Sequence, residues 1–91
     1  MLRLNWKQNA RKDLLAIVAY ISQDNPDAAE KLADEIEAKA KQLPQHPNLY
    51  KPGRLKGTRE MVVRPNYIVV YAVEASAISV LRVLHAAQQY P

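Results

Sequence analysis

Met61-Val62-Val63-Arg64-Pro65-Asn66-Tyr67-Ile68-Val69-Val70-Tyr71-Ala72-Val73-Glu74-Ala75-Ser76-Ala77-Ile78-Ser79-Val80-Leu81-Arg82-Val83-Leu84 is the stretch that decides the fold. It holds three β-branched and aromatic runs separated by two short breaks, Pro65-Asn66 and Glu74-Ala75-Ser76. Side chains branched at Cβ are stiff and suit a pleated surface, and breaks this short allow only antiparallel neighbours, so the stretch predicts a three-strand meander. Upstream of it, Gln45 to Gly57 carries Pro47, Pro52, Gly53 and Gly57 among polar residues. That composition predicts an ordered basic loop with no regular element. Downstream, His85 to Pro91 is a short tail, unassigned or weakly helical.

Further outward the period changes. Ala10, Leu14, Ile17, Val18 and Ile21 recur at helical spacing and predict a helix from about Asn9 to Gln23. Asn25 can cap a second helix, with Pro26 at its first position, where a missing N–H costs nothing. Ala29, Leu32, Ala33, Ile36, Ala40 and Leu43 form its apolar stripe, and Pro44 stops it. So short a link between two helices predicts an antiparallel hairpin. Leu2, Leu4 and Trp6 alternate with Arg3, Asn5 and Lys7, the period of a half-buried strand. The expected architecture is α+β, in the order β-α-α-β-β-β, with an N-terminal strand and a helical hairpin packed on an antiparallel sheet. The sheet's second face, or an uncovered edge, is then available to a partner.

A chain of 91 residues suffices for a single domain spanning 1–91 and one modest core. With no cysteine it has no disulfide, thiolate metal site or thiol nucleophile, which makes the cytoplasm the expected compartment. No run approaches the roughly 18 apolar residues of a membrane span. His46 and His85 form no ligand pattern, and two glycines cannot build a phosphate-binding loop, so neither metal nor cofactor is expected. No nucleophile-elbow motif surrounds Ser22, Ser76 or Ser79. The net charge of +4 is confined to the C-terminal half: residues 1–47 hold seven Lys/Arg and seven Asp/Glu, whereas residues 48–91 hold six against two. Lys51, Arg54, Lys56, Arg59, Arg64 and Arg82 thus form a candidate basic face for a target or an acidic partner, although such a cluster is often only a solvated face. What chemistry remains is metal-independent proton transfer on a polyanion, with Arg59, Arg64, Arg82, His85 and Tyr90 as candidates. The bland alternatives are a hairpin-flanking Arg64, an outward strand residue in Arg82, a surface His85 and a frayed Tyr90. The charged run on the second helix reads as solvated i, i+4 pairs such as Glu35 with Lys39.

Leu55-Lys56-Gly57, Arg64-Pro65-Asn66-Tyr67-Ile68-Val69-Val70-Tyr71 and Val80-Leu81-Arg82-Val83-Leu84-His85 together resemble the RelE/ParE toxin superfamily. The resemblance covers nearly the whole chain. It implies the toxin of a type II toxin-antitoxin system, wrapped by an extended segment of a cognate antitoxin and touching operator DNA only through that antitoxin. RelE-like members cut messenger RNA on the ribosome, whereas ParE-like members poison DNA gyrase. RelE-like nucleases carry lysines in the strand before the hairpin and an arginine after its conserved aromatic residue. Here Glu60 and Val62 stand at the lysine positions and Ile68 follows Tyr67. The resemblance therefore implies a ParE-like, non-enzymatic gyrase poison. An RNase reading, with Arg64, Arg82, His85 and Tyr90 as a rearranged catalytic set, and a non-toxic interaction module are the alternatives.

Overall fold

The computed structural model describes residues 2–90. Strand β1 (Arg3–Trp6) leads into α1 (Gln8–Ser22) and α2 (Pro26–Lys41), then a 3-10 turn at Leu43–Gln45, β2 (Lys51–Pro52), β3 (Arg59–Arg64), β4 (Tyr67–Val73) and β5 (Ala77–His85). The helical break forms as its residues require. The Ala28 N–H donates to the Asn25 side-chain oxygen at 3.1 Å, Pro26 occupies the first helical position and Asp27 lies in the first turn. The sheet order is β1-β5-β4-β3-β2. Four strands form the antiparallel ladder, but β1 runs parallel to β5, Arg3 beside Ala77 through Trp6 beside Val80. The α1-α2 excursion is the crossover that a parallel pair needs. The loop expected to have no regular element takes in the end of the 3-10 turn, at Gln45, and all of β2. β2 is a two-residue pairing of Lys51 with Glu60 and Pro52 with Arg59.

The hairpin covers one sheet face. Ala10, Leu32, Ile36, Ala40 and Leu43 meet Met61, Val63, Val69, Tyr71, Ile78, Val80 and Val83, with Leu4, Trp6, Leu14 and Ile17 at the margin. β4 is apolar on both faces, with Val69 and Tyr71 toward the helices and Ile68 and Val70 away. The second face is not bare. Ile68, Val70 and Leu84 form a smaller buried cluster against which Leu81 and Tyr90 pack, so part of the tail lies across it. Tyr71 is fully buried and donates its phenol hydrogen to the Pro47 carbonyl at 3.0 Å, pinning the loop after the hairpin to the sheet.

Candidate functional site

β1 pairs with β5 only as far as Val80, where the Lys7 N–H donates to the Val80 carbonyl at 2.9 Å and the chain turns into α1. β5 continues to His85 with no strand on that side among the described residues. Between Val70 and Tyr71 the register with β4 shifts, Val70 facing Arg82 and Tyr71 facing Val80, which makes Leu81 an extra, bulged residue. Asp13, in the second turn of α1, closes the open edge. Its Oδ2 accepts the Val83 N–H at 2.9 Å and the Arg82 Nε–H at 2.7 Å, and its Oδ1 accepts from the other guanidinium nitrogen at 3.0 Å. Such a bidentate pair holds the guanidinium plane. It also holds Arg82 charged, its pKa raised chiefly by these hydrogen bonds to Asp13.

The turn into α1 and the bulge together frame an open groove of about 460 Å³ lined by Lys7, Gln8, Asn9, Leu81, Arg82 and Tyr90. The Tyr90 ring lies 5.8 Å from the Arg82 guanidinium carbon, within cation–π range. Tyr90 is therefore placed, not frayed. Its carbonyl also accepts from Arg54 at 3.4 Å, and Arg54 in turn meets the buried Glu60 carboxylate through its backbone N–H at 2.9 Å and its Nε at 3.4 Å.

Of the proton-transfer candidates Arg59, Arg64, Arg82, His85 and Tyr90, the described contacts join Arg82 and Tyr90. Arg64 turns toward the hairpin and ion-pairs with Glu35 at 2.8 Å. Glu35 thus serves the sheet and not Lys39, whose ammonium donates to the Val63 carbonyl at 3.3 Å. These two contacts clasp α2 to the end of β3. His85 lies opposite Tyr67, on the helix side, with the rings edge to face at 5.4 Å, while Arg82 lies opposite Val70 on the other side. The His85 Nδ1 accepts the Ala87 N–H at 3.1 Å, which leaves the proton of the neutral ring on Nε2. Arg59 donates to the Tyr50 carbonyl at 2.6 Å, and Lys51 and Lys56 are exposed on and beside β2.

Lys7, Asn9 and Asp13 were not among the candidates from the sequence. The alternation of β1 placed Lys7 on its polar side. Nothing local signalled that this side adjoins Arg82, 75 positions later. Among the described residues, no group of His, Asp and Glu is arranged to hold a metal ion.

A profile of the ParE toxin of type II toxin-antitoxin systems matches residues 4–90. The chain belongs to the ParE toxin family. It is 38% identical to the putative toxin Y4kP of Sinorhizobium fredii, over 98% of this chain and 93% of that protein. It is 36% identical to toxin RelE2 of Caulobacter vibrioides, over 97% and 99%. The chromosomal ParDE toxin-antitoxin system of P. aeruginosa contains a chain that superposes with a TM-score of 0.83 at 27% identity, over 93% of this chain and 96% of that one. The E. coli DinJ-YafQ complex has the same fold, with a TM-score of 0.67 at 16% identity over 100% of both chains. The expected α+β fold, an N-terminal strand and a helical hairpin packed on a sheet, is observed apart from the parallel pairing of β1, and the chain is the toxin of a type II toxin-antitoxin system.

Proposed function

We propose that this ParE-family toxin acts by binding and poisoning DNA gyrase and has no nuclease chemistry. The observation that carries this reading is the dispersal of the groups a ribonuclease would need. Arg64 is held by Glu35 and His85 faces the helix side, while Arg82 and Tyr90 lie at the opposite face. The buried Glu60 adds a carboxylate where phosphate chemistry calls for cations. Each lost electrostatic contact to a transition state costs on the order of 10²–10³ in rate. A purified toxin should trap cleaved DNA in a gyrase supercoiling assay and leave ribosome-bound messenger RNA intact. Cut RNA with unaffected gyrase would refute the proposal.

The RNase reading retains one supporting observation, the Lys7, Arg82 and Tyr90 groove, where two cations and a phenol share a face. On that reading Arg82→Ala or Tyr90→Phe abolishes RNA cleavage. A third reading, a non-toxic interaction module, predicts no growth arrest when the chain is expressed alone.

For the antitoxin, the reading is an extended or helical segment docked between the hairpin and the sheet. A largely apolar groove of about 260 Å³ lined by Trp6, Arg11, Leu14, Leu15 and Glu37 supports it. Beside it, β1 is an edge strand of only four residues. An acidic antitoxin segment suits Lys51, Arg54, Lys56 and Arg59, and contact with operator DNA is assigned to the antitoxin. Trp6→Ala should weaken antitoxin binding at least tenfold, and unchanged affinity would refute this docking site.

A further inference from the structure

The middle of the outward side of α1, at Leu15, Ala16, Ala19 and Tyr20, carries no charge where a solvated helix face would. Diametrically opposite its buried stripe, Lys12, Ala16, Ala19 and Gln23 follow i, i+4, i+7, i+11 and are all exposed. Leu15 and Tyr20 flank this seam on its two sides, 69% and 74% exposed. The neighbouring helix shows the contrast. The exposed residues of α2 include Glu30, Lys31, Asp34, Glu37 and Lys41, the face expected of a helix bathed by water. Both helices pack on the same face of the sheet, α1 beside β5 and α2 beside β3, so the difference belongs to what each outward face meets.

We propose that the outward face of α1 pairs with the same face of a second copy of this chain, antiparallel about a two-fold axis between residues 17 and 18. This places Ala16 against Ala19 of the second copy, and their small side chains allow the axes to approach to about 8 Å. Leu15 then packs beside its own symmetry mate on one flank and Tyr20 beside its mate on the other, an isologous contact. The ends select the direction. Lys12 in one copy reaches Gln23 and Asp24 of the other, and the helix dipoles oppose. In a parallel arrangement the two basic ends and the two acidic ends would each repel. One helix pair lies at or below the low end of specific interfaces, about 1,200 Å² in total, so association belongs in the micromolar range. Leu15 also borders the groove assigned to the antitoxin. Antitoxin binding and pairing are therefore expected to oppose each other, but the pairing itself does not depend on the target of the toxin.

The test uses the purified toxin, freed of antitoxin, at concentrations from about 1 to 200 µM, the range in which an interface of this size dissociates. Sedimentation should pass from monomer to dimer, and Ala19→Glu should weaken dimerisation at least tenfold while leaving unchanged the melting temperature and the antitoxin affinity measured at concentrations where the toxin is monomeric. The chain has no cysteine, so Ala16→Cys and Ala19→Cys can be joined by a short bis-maleimide, with Glu30→Cys on α2 as control. Efficient cross-linking of the two α1 variants, and little of the control, is the expected result. Monomer throughout the range, an undiminished Ala19→Glu dimer, or equal cross-linking at Glu30→Cys would each overturn the proposal.

Discussion

Replacing Asp13 by alanine should destabilise this toxin more than replacing Arg82, although the two are partners in one ion pair. The pair is partly exposed, the side chains retaining 16% and 31% of their accessibility, so solvent screens it and its own contribution is about 1 kcal/mol. Asp13→Ala loses that and also leaves the Val83 N–H without its acceptor, on an edge that β1 does not reach. An unsatisfied N–H there costs about 1–2 kcal/mol more, for a total of about 2–3 kcal/mol. In a chain of this size each kcal/mol moves the midpoint by roughly 4–8 °C, so Asp13→Ala should lower Tm by about 10–20 °C. Arg82→Ala leaves Asp13 free to accept from Val83 and should cost only about 1 kcal/mol. Thermal unfolding followed by circular dichroism at neutral pH measures both. If Arg82→Ala proves as damaging as Asp13→Ala, Asp13 is a charge partner only, and its capping of the β5 edge is wrong.

A double-mutant cycle between Glu35→Ala and Arg64→Ala should return a coupling of about 0.5–1 kcal/mol, because both side chains are more than a third exposed; zero coupling would remove the clasp between α2 and β3. Gly53→Ala should destabilise by about 1–3 kcal/mol, since an added Cβ would fall 2.4 Å from the Thr58 hydroxyl and 3.3 Å from the Thr58 backbone; an unchanged denaturation midpoint would refute the tight turn. Burial raises the Tyr71 phenol above its ordinary value of 10.0. Above that pH the unfolded chain gives up the proton while the folded chain keeps it, so the Tyr71 contribution is complete below pH 10 and is lost as the pH rises further. Wild type should therefore exceed Tyr71→Phe by about 1 kcal/mol at pH 8, with the margin shrinking toward pH 11; a margin independent of pH would contradict the burial.

Elements with a strong local period were legible from the sequence. The stripe of α2, the Asn25 cap and the meander are set by neighbours within a few positions, where local steric preference and burial agree. The parallel pairing of β1 was not legible, because an alternating strand states which side is apolar and not which partner it joins. The two-residue strand β2 escaped for a related reason. Its pairing with Glu60 and Arg59 comes from the loop closing on β3, through a segment whose proline and glycines carry no strand signal.

The site divides along the same line. Sequence by itself determined which residue types were present: the arginines, His85 and Tyr90, the lack of cysteine, and the carboxylate of Glu60 in the strand before the hairpin. Tertiary structure decided which of them act together. Asp13 and Arg82 are 69 positions apart and Glu35 and Arg64 are 29, and each pair meets only because α1 packs beside β5 and α2 beside β3. A side chain's charge is a property of the residue. The charge it presents to a partner depends on which carboxylate the fold has placed against it, and contacts at that separation follow from packing of the whole core.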